Sequence, residues 1–343
     1  EMHLYLKDFL NVIRNCSIDN TYKMAWARAL VELSIENPNS NKFYLKDISV
    51  KFFKYYWNQT IYFDLIQGSN LSKPPEVITL VKKEITNYFS EINKNQPVHF
   101  ERVKNNQTFV DESKIVRLLK QDVSWRFLKL GNDIIPLYKY KKGDDFLILE
   151  DVQVLNEYSD ILFESINFRW TQILENYNSS PRIAKKVRVL DFDSLKRSSL
   201  TPFRKYIDLV NPEINCFICS EKIINESPSI DHVIPWSFIF HDDLWNLVYT
   251  HKSCNSSKSN SIPSKLDINK LEKRNKDLSS VLKSSKFQNM KVTKDFSLAI
   301  EQNYLHKSCI NTIKALVLLE NNMSLITSLK IIFLLLKEIF ELD

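Results

Sequence analysis

Two short pairs of metal-ligating residues lie in the second half of the chain. Cys216 and Cys219 are three positions apart, and His251 and Cys254 repeat that spacing after an interval of 31 residues. A gap of two residues lets both side chains of a pair turn toward one ion, and three thiolates with one imidazole complete a tetrahedral zinc set. Because this set leaves no open position, the zinc is predicted to be structural. A chance coincidence or a redox pair is the alternative, although no thioredoxin-like βαβ pattern accompanies the cysteines.

The segment between the two pairs contains a carboxylate and an imidazole side by side. Asp231 and His232 stand among apolar residues in the stretch SIDHVIPWSF, residues 229–238. A carboxylate oxygen suits a hard divalent cation such as Mg²⁺. Imidazole is the side chain whose charge changes nearest neutral pH, which suits a general base. The alternative is a strand that happens to carry two polar residues.

The order of these residues resembles the HNH, or ββα-metal, endonuclease family over roughly residues 205–262. The resemblance is carried by the zinc pairs, an Asp-His pair followed by a proline, an Asn-Leu step and a Cys-Asn step near a lysine. Outside the zinc pairs these are Asp231, His232, Pro235, Asn246, Leu247, Asn255 and Lys258. The phrase DHVIPWSF is also similar to the HNH domain of RNA-guided CRISPR effectors. His251 stands where many zinc-bearing members have cysteine, and imidazole is an equally good zinc ligand.

The resemblance implies a β-hairpin followed by a helix. The first strand would carry residues 230–233, the second residues 247–250, and the helix would begin near Lys252. Lys252 and Lys258 would then be the DNA-contacting residues of this helix, with Lys258 placed to touch a phosphate.

The resemblance also implies the roles of the polar residues. Asp231 and the side-chain oxygen of Asn255 would bind a catalytic Mg²⁺ or Mn²⁺, which leaves positions for the scissile phosphate. His232 would act as the general base on the attacking water. Asn246 would either orient His232 or fasten the loop between the two strands.

Charge is distributed unevenly around this region. The net charge of the chain is +6, and the segments 182–205 and 252–286 each carry +6, while residues 206–251 between them carry −6. An acidic centre between two basic segments suits a metal site that meets a polyanion such as DNA. The alternative is that the basic segments are solvated helix faces. No Gly-rich phosphate-binding loop is present in the sequence, so a nucleotide-driven motor would have to be another chain.

Hydrophobic periodicity predicts an α+β protein that is mostly helical. We expect a helical domain at 1–130, with a role in DNA or partner recognition, and a connector with a β-hairpin and a basic segment at 131–204. The HNH nuclease module would occupy 205–265 and a helical segment 266–343. The aromatic stretch 48–63 contains lysines and could stack on bases, but core packing is the preferred interpretation.

The most apolar stretch lies near the C-terminus. Residues 324–341 show a hydrophobic face at helical spacing, with further apolar residues beside it. Lys and Glu residues interrupt the stretch, which disfavours a membrane span. We therefore expect it to pack against another chain, most simply in a homodimer, or against the N-terminal helices. No targeting segment is recognised, and a cytoplasmic location is expected.

These patterns together predict a metal-dependent HNH endonuclease that hydrolyses DNA. A restriction or anti-phage defence nuclease of bacterial origin is the expected context, with an ATPase or sensor subunit as a further partner. The alternative is a catalytically inactive subunit that keeps its zinc and serves as a DNA-binding or scaffold protein.

Overall fold

A computed structural model of the protein describes residues 3–70, 72–93, 96–178, 182–188, 198–259, 261, 263–302 and 305. The chain divides into two compact units. The first comprises Glu1–Asn178 and Ile183–Leu195, and the second comprises Ser179–Arg182 and Lys196–Asp343.

The described residues are mostly helical, with three small antiparallel sheets, which confirms the predicted α+β class. The helices are α1 (Leu4–Asn15), α2 (Tyr22–Glu36), α3 (Leu45–Phe63), α4 (Glu76–Ile92), α5 (Glu112–Asp122), α6 (Val152–Glu157), α7 (Ser159–Tyr177), α8 (Ile183–Val187), α9 (Arg204–Ile207), α10 (Trp236–Ile239), α11 (Lys252–Lys258), α12 (Lys265–Ser284) and α13 (Lys291–Glu301). The strands are β1 (Lys42–Tyr44), β2 (Lys129–Leu130), β3 (Asp133–Ile134), β4 (Tyr138–Lys139), β5 (Phe146–Leu149), β6 (Ser229–His232) and β7 (Leu247–Thr250).

The first unit is organised around α3, which packs against α2, α4 and α5. Five aromatic residues of this helix are fully buried: Phe52, Phe53, Tyr55, Tyr56 and Trp57. The two lysines interleaved with them contact an acidic side chain of α2. The aromatic stretch is therefore part of the hydrophobic core, as the sequence analysis preferred, and is not exposed for base stacking.

A small sheet completes the first unit. β5 lies between β1 and β4 and pairs antiparallel with both. Gly143, with a φ of +103°, occupies the turn between β4 and β5, where a residue with a side chain would be strained. The hairpin predicted from the sequence is thus confirmed, and β1 adds a strand from the N-terminal part of the chain.

The first unit also contains a second, shorter hairpin and a break between two helices. Helix α5 ends at Asp122, and the chain then turns through Gly131 to pair β2 with β3. Helices α6 and α7 are separate because Tyr158 leaves the helical dihedrals, and its carbonyl accepts the first bond of α7.

The second unit has its own hydrophobic core beneath the β6–β7 hairpin. Its buried residues come from the hairpin, from α9 and from one face of α12, where Leu271, Leu278 and Leu282 recur at helical spacing. A capping box between Ser264 and Asp267 begins α12. The hairpin and α12 therefore support each other within this unit.

The predicted C-terminal helix at 324–341 lies outside the described residues. Among the helices that the structure describes, none combines the length and the apolar character that a membrane span requires.

Candidate active site and metal centre

The β6–β7 hairpin and α11 form the frame of the site. The register pairs Asp231 with Val248 and His232 with Leu247. Helix α11 begins at Lys252, two residues after β7 ends. The hairpin followed by a helix, which the resemblance implied, is confirmed to within one residue at the strand ends.

The two predicted zinc pairs come together on one side of this frame. One ligand atom from each of Cys216, Cys219, His251 and Cys254 lies within 4.8 Å of every other. Nδ1 of His251 is 3.4 Å from Sγ of Cys219 and 3.9 Å from Sγ of Cys254. Tetrahedral zinc with bonds of about 2.0–2.3 Å requires ligand atoms about 3.3–3.8 Å apart, so the four side chains need to draw together by at most about 1 Å to hold a zinc ion.

Backbone N–H groups and neighbouring sulfur atoms shift the pKa values of the thiols in this cluster. Burial raises the pKa of Cys216, but N–H groups of Cys219, His251 and Ile218 outweigh burial and lower it to about 6. Burial and the neighbouring sulfur atoms raise the pKa of Cys254 to about 11. A bound cation would therefore meet one preformed thiolate and would have to displace a proton from another sulfur.

Asp231 lies on β6, and its side chain faces Lys258 of α11. Its Oδ2 is buried and makes no hydrogen bond within the part of the chain that the structure describes. The Nζ of Lys258 is 3.0 Å from this oxygen, as an ion pair, and donates a hydrogen bond of 2.6 Å to the carbonyl of His232. The ammonium predicted to touch a phosphate thus contacts the predicted metal ligand.

Asn255 lies on the same face of α11 as Lys258, one turn earlier. Its Nδ2 donates to Oγ of Ser229 at 3.0 Å, and Ser229 precedes Asp231 by two residues on one face of β6. The side-chain oxygen of Asn255 makes no hydrogen bond to any described residue. Asp231 and Asn255 therefore lie on neighbouring elements, the strand β6 and the helix α11.

A cavity of about 130 Å³ adjoins this carboxylate. Asp231, Thr250, Lys258 and Asp267 contribute to its lining, together with apolar side chains of the zinc-bearing loop and the hairpin. The hydroxyl of Thr250, like Oδ2 of Asp231, is buried without a hydrogen bond to a described residue. Buried polar atoms without hydrogen bonds call for a water or an ion. The Lys258 ammonium already lies beside Oδ2 of Asp231, so a divalent cation at this oxygen would take the place of that ammonium.

Asn246 is fully buried and fastens the chain that follows β6. Its Oδ1 accepts from the N–H of Ile234 at 2.8 Å, and its Nδ2 donates to the carbonyl of Ile234 at the same distance. Its own carbonyl accepts from the N–H of Val233. Of the two roles left open by the sequence, the geometry is that of a residue that holds the loop.

His232 points away from Asp231 and contacts an acid that the sequence analysis did not select. Its Nε2 is 3.0 Å from Oδ1 of Asp242, and its side chain is only 10% exposed. Asp242 belongs to the polar triplet HDD, residues 241–243, in the connection between β6 and β7. In the sequence, the signal that could have identified Asp242 is an acidic residue between the two predicted strands, ten positions after the predicted base.

Arg182 and His241 hold the loop that carries Asp242 through contacts to the neighbouring residue Asp243. Arg182 donates to Oδ2 of Asp243 at 2.9 Å and to the carbonyl of Ile239, and Nδ1 of His241 is 2.7 Å from Oδ1 of Asp243. Burial raises the pKa of Asp243, but His241 and Arg182 outweigh burial and lower it. Asp243 is therefore an ionised anchor for this loop.

Helix α12 supports the turn that leads into β7. Arg274 donates to the carbonyls of Leu244 and Trp245, and Asn275 donates to the carbonyl of Trp245. Burial lowers the pKa of Arg274 to about 9. These donors fix the carbonyls just before Asn246 and so help to position it.

The comparisons with known proteins point to the same segment. A family model described as HNH endonuclease matches residues 217–264, which begin directly after Cys216 and include the hairpin and α11. Comparison with curated proteins and with solved structures gave no match. The hairpin, the helix and the family model thus coincide over residues 217–264, where the chain is similar to HNH endonucleases, as the sequence resemblance predicted.

Proposed function

We propose that this protein is a metal-dependent HNH endonuclease that hydrolyses phosphodiester bonds of DNA. The observation that carries the proposal is the buried Oδ2 of Asp231, a residue of β6, which forms an ion pair with the ammonium of Lys258 on α11. A carboxylate in such a position is suited to a divalent cation, here Mg²⁺ or Mn²⁺.

Each polar residue then has a defined task. Asp231 and Asn255 offer one oxygen each to the cation from facing elements, and Asn246 holds the loop that follows β6. His232 removes the proton from the attacking water. A divalent cation bound here would stabilise the negative charge that develops on the phosphate and on the leaving oxygen.

DNA is the proposed substrate because of the charge around the site. The segment 252–286, which begins with α11, carries a net charge of +6. Lys252 is exposed on this helix, and its ammonium has no partner among the described residues. Exposed cations beside a metal site favour a polyanionic backbone, and their contribution decreases as salt increases.

We further propose that the protein serves in restriction or anti-phage defence in the cytoplasm of a bacterium. An ATPase or sensor chain would supply the trigger, because the sequence contains no phosphate-binding loop of its own. A homodimer through residues 324–341 would place two sites on one duplex, and each site would cut one strand.

Cleavage of supercoiled plasmid tests the activity. The wild-type protein with Mg²⁺ or Mn²⁺ should nick or linearise the plasmid, and EDTA should stop it. Asp231→Asn and His232→Ala should each lower the rate by at least about 100-fold, while their affinity for DNA remains close to wild type. His3→Ala, an exposed histidine of the first unit, is the matched control and should cleave normally.

The same assay separates the proposal from a catalytically inactive scaffold. A wild-type protein that binds DNA and zinc but cleaves nothing with either cation would establish the scaffold. If both variants cleave DNA at the wild-type rate, the nuclease centre lies elsewhere.

A further inference from the structure

The ring of His232 has one hydrogen-bond partner among the described residues. Its Nε2 lies 3.0 Å from Oδ1 of Asp242, and Nδ1 makes no hydrogen bond to a described residue. The imidazole is 10% exposed and the carboxylate 25% exposed. The His232–Asp242 contact is thus largely shielded from solvent. It does not involve the side chain of Asp231.

The chemistry of the two groups determines where the proton of the ring resides. An ionised carboxylate only accepts hydrogen bonds, so Nε2 of His232 must carry the proton that fills this contact. In a neutral ring, Nδ1 then bears the lone pair. A general base needs that lone pair at the nitrogen that faces the reacting water.

We propose that Asp242 is a positioning residue for His232: its carboxylate holds the Nε2–H and leaves Nδ1 as the nitrogen that receives the proton from water. The inference rests on the proposed function, because it assigns the orientation of the base in that reaction. When the proton moves, the O–H bond of water breaks and an N–H bond forms at Nδ1. The imidazolium then carries the positive charge beside the Asp242 carboxylate, which stabilises it.

The loop around Asp242 is built to keep this carboxylate in place. Its neighbour Asp243 is bound by Arg182 and by Nδ1 of His241. His241 and His232 therefore use opposite ring nitrogens toward adjacent acids. Neutral His241 should carry its proton on Nδ1, whereas neutral His232 should carry it on Nε2, and this contrast provides an internal reference.

The first arm of the test measures the proton position without metal or DNA. In ¹⁵N-labelled full-length protein at a pH where the rings are neutral, correlations between ring nitrogens and carbon-bound protons report which nitrogen is protonated. His232, assigned by its loss in His232→Ala, should be the Nε2–H form in wild type. In Asp242→Ala it should become a mixture of both forms. Asp295→Ala, an exposed acid of α13, is the control and should leave His232 unchanged.

The second arm measures plasmid nicking with Mg²⁺. Asp242→Ala should reduce kcat by about 10- to 100-fold, less than loss of the base itself. KM for DNA should remain within about twofold of wild type, because Asp242 is not proposed to contact DNA. Asp242→Asn keeps an oxygen that accepts from Nε2 and should recover part of the rate, provided that melting temperatures of all variants match.

The outcomes separate this inference from the proposed function. Two outcomes would overturn the role of Asp242 and leave the nuclease assignment intact. One is a wild-type protein that cleaves DNA and an Asp242→Ala variant that cleaves it at the same rate. The other is a wild-type His232 ring that carries its proton on Nδ1. A wild-type protein that never cleaves would refute the nuclease and this role with it, while the proton position of His232 would still be measured.

Discussion

Nζ of Lys258 lies 3.0 Å from Oδ2 of Asp231, and both side chains are 15% exposed. A Mg²⁺ ion would bind the same oxygen at about 2.0–2.1 Å. The ammonium and the ion would then be close like charges that repel each other strongly in a partly buried site. Lys258 therefore occupies the place of a cation beside Asp231, and under the proposed function it would have to move aside for a divalent ion.

Replacing Lys258 should make this competition visible. Lys258→Met removes the ammonium, so the DNA-free protein should bind Mn²⁺ about tenfold more tightly. Titration of Mn²⁺ followed by electron paramagnetic resonance measures this affinity directly. Lys252→Met, which removes an exposed lysine of the same helix, is the matched control and should bind Mn²⁺ like wild type. Equal or weaker binding by Lys258→Met would contradict the competition.

The metal cluster should bind one zinc per chain and stabilise the second unit. Cys254→Ser removes one of the four ligands, and a small core without its metal loses much of its stability. We expect elemental analysis to show zinc in wild type that survives dialysis and a loss of zinc in the variant, with a lower melting temperature. Cys16→Ala changes a buried free cysteine of the first unit and should keep its zinc. Zinc-free wild-type protein of full stability would refute the site.

Asn246 should contribute far more to stability than a residue with the same bonds at the surface. Asn246→Ala leaves the buried N–H and carbonyl of Ile234 without partners, which should cost about 2–4 kcal/mol of unfolding free energy. Asn211 makes an equivalent pair of bonds to Asn215, but near solvent. Asn211→Ala should therefore cost less than about 1 kcal/mol, since water replaces its bonds. Urea denaturation measures both values, and equal costs would contradict the buried role.

Glu32 should stabilise the first unit in a pH-dependent manner. Burial raises its pKa, but Lys54, Lys51 and Tyr55 outweigh burial and lower it from 4.5 to about 2. A carboxyl group whose pKa is lower in the folded state stabilises the folded protein at any pH above its unfolded-state pKa. This contribution is lost as the pH falls to the folded-state pKa. Glu32→Gln should cost on the order of 2–3 kcal/mol near neutral pH.

The difference in unfolding free energy between wild type and Glu32→Gln should decrease as pH falls from about 4.5 toward 2. Chemical denaturation across that range measures it. The control is Glu36→Gln, whose carboxylate also contacts Lys51 but is 47% exposed, and it should have little effect at any pH. A difference that does not change with pH would exclude the carboxylate of Glu32 as its source.

The sequence by itself determined the local parts of this protein. The two-residue gap between paired ligands identified Cys216, Cys219, His251 and Cys254, because such a gap brings two side chains toward one ion. The strand and helix limits around Asp231 and His232 followed from the family resemblance and agree with the structure. These features depend on neighbouring residues and on short-range periodicity, which a sequence displays directly.

Only the tertiary structure decided which polar side chains meet. The contacts of Asp242 with His232 and of Lys258 with Asp231 join residues from separate elements, and Asn246 bonds a residue twelve positions away. The path of the loop after β6 and the packing of α11 on the hairpin determine these distances. Spacing along the chain carries no information about either, because loop conformation and helix packing depend on the whole core of the second unit.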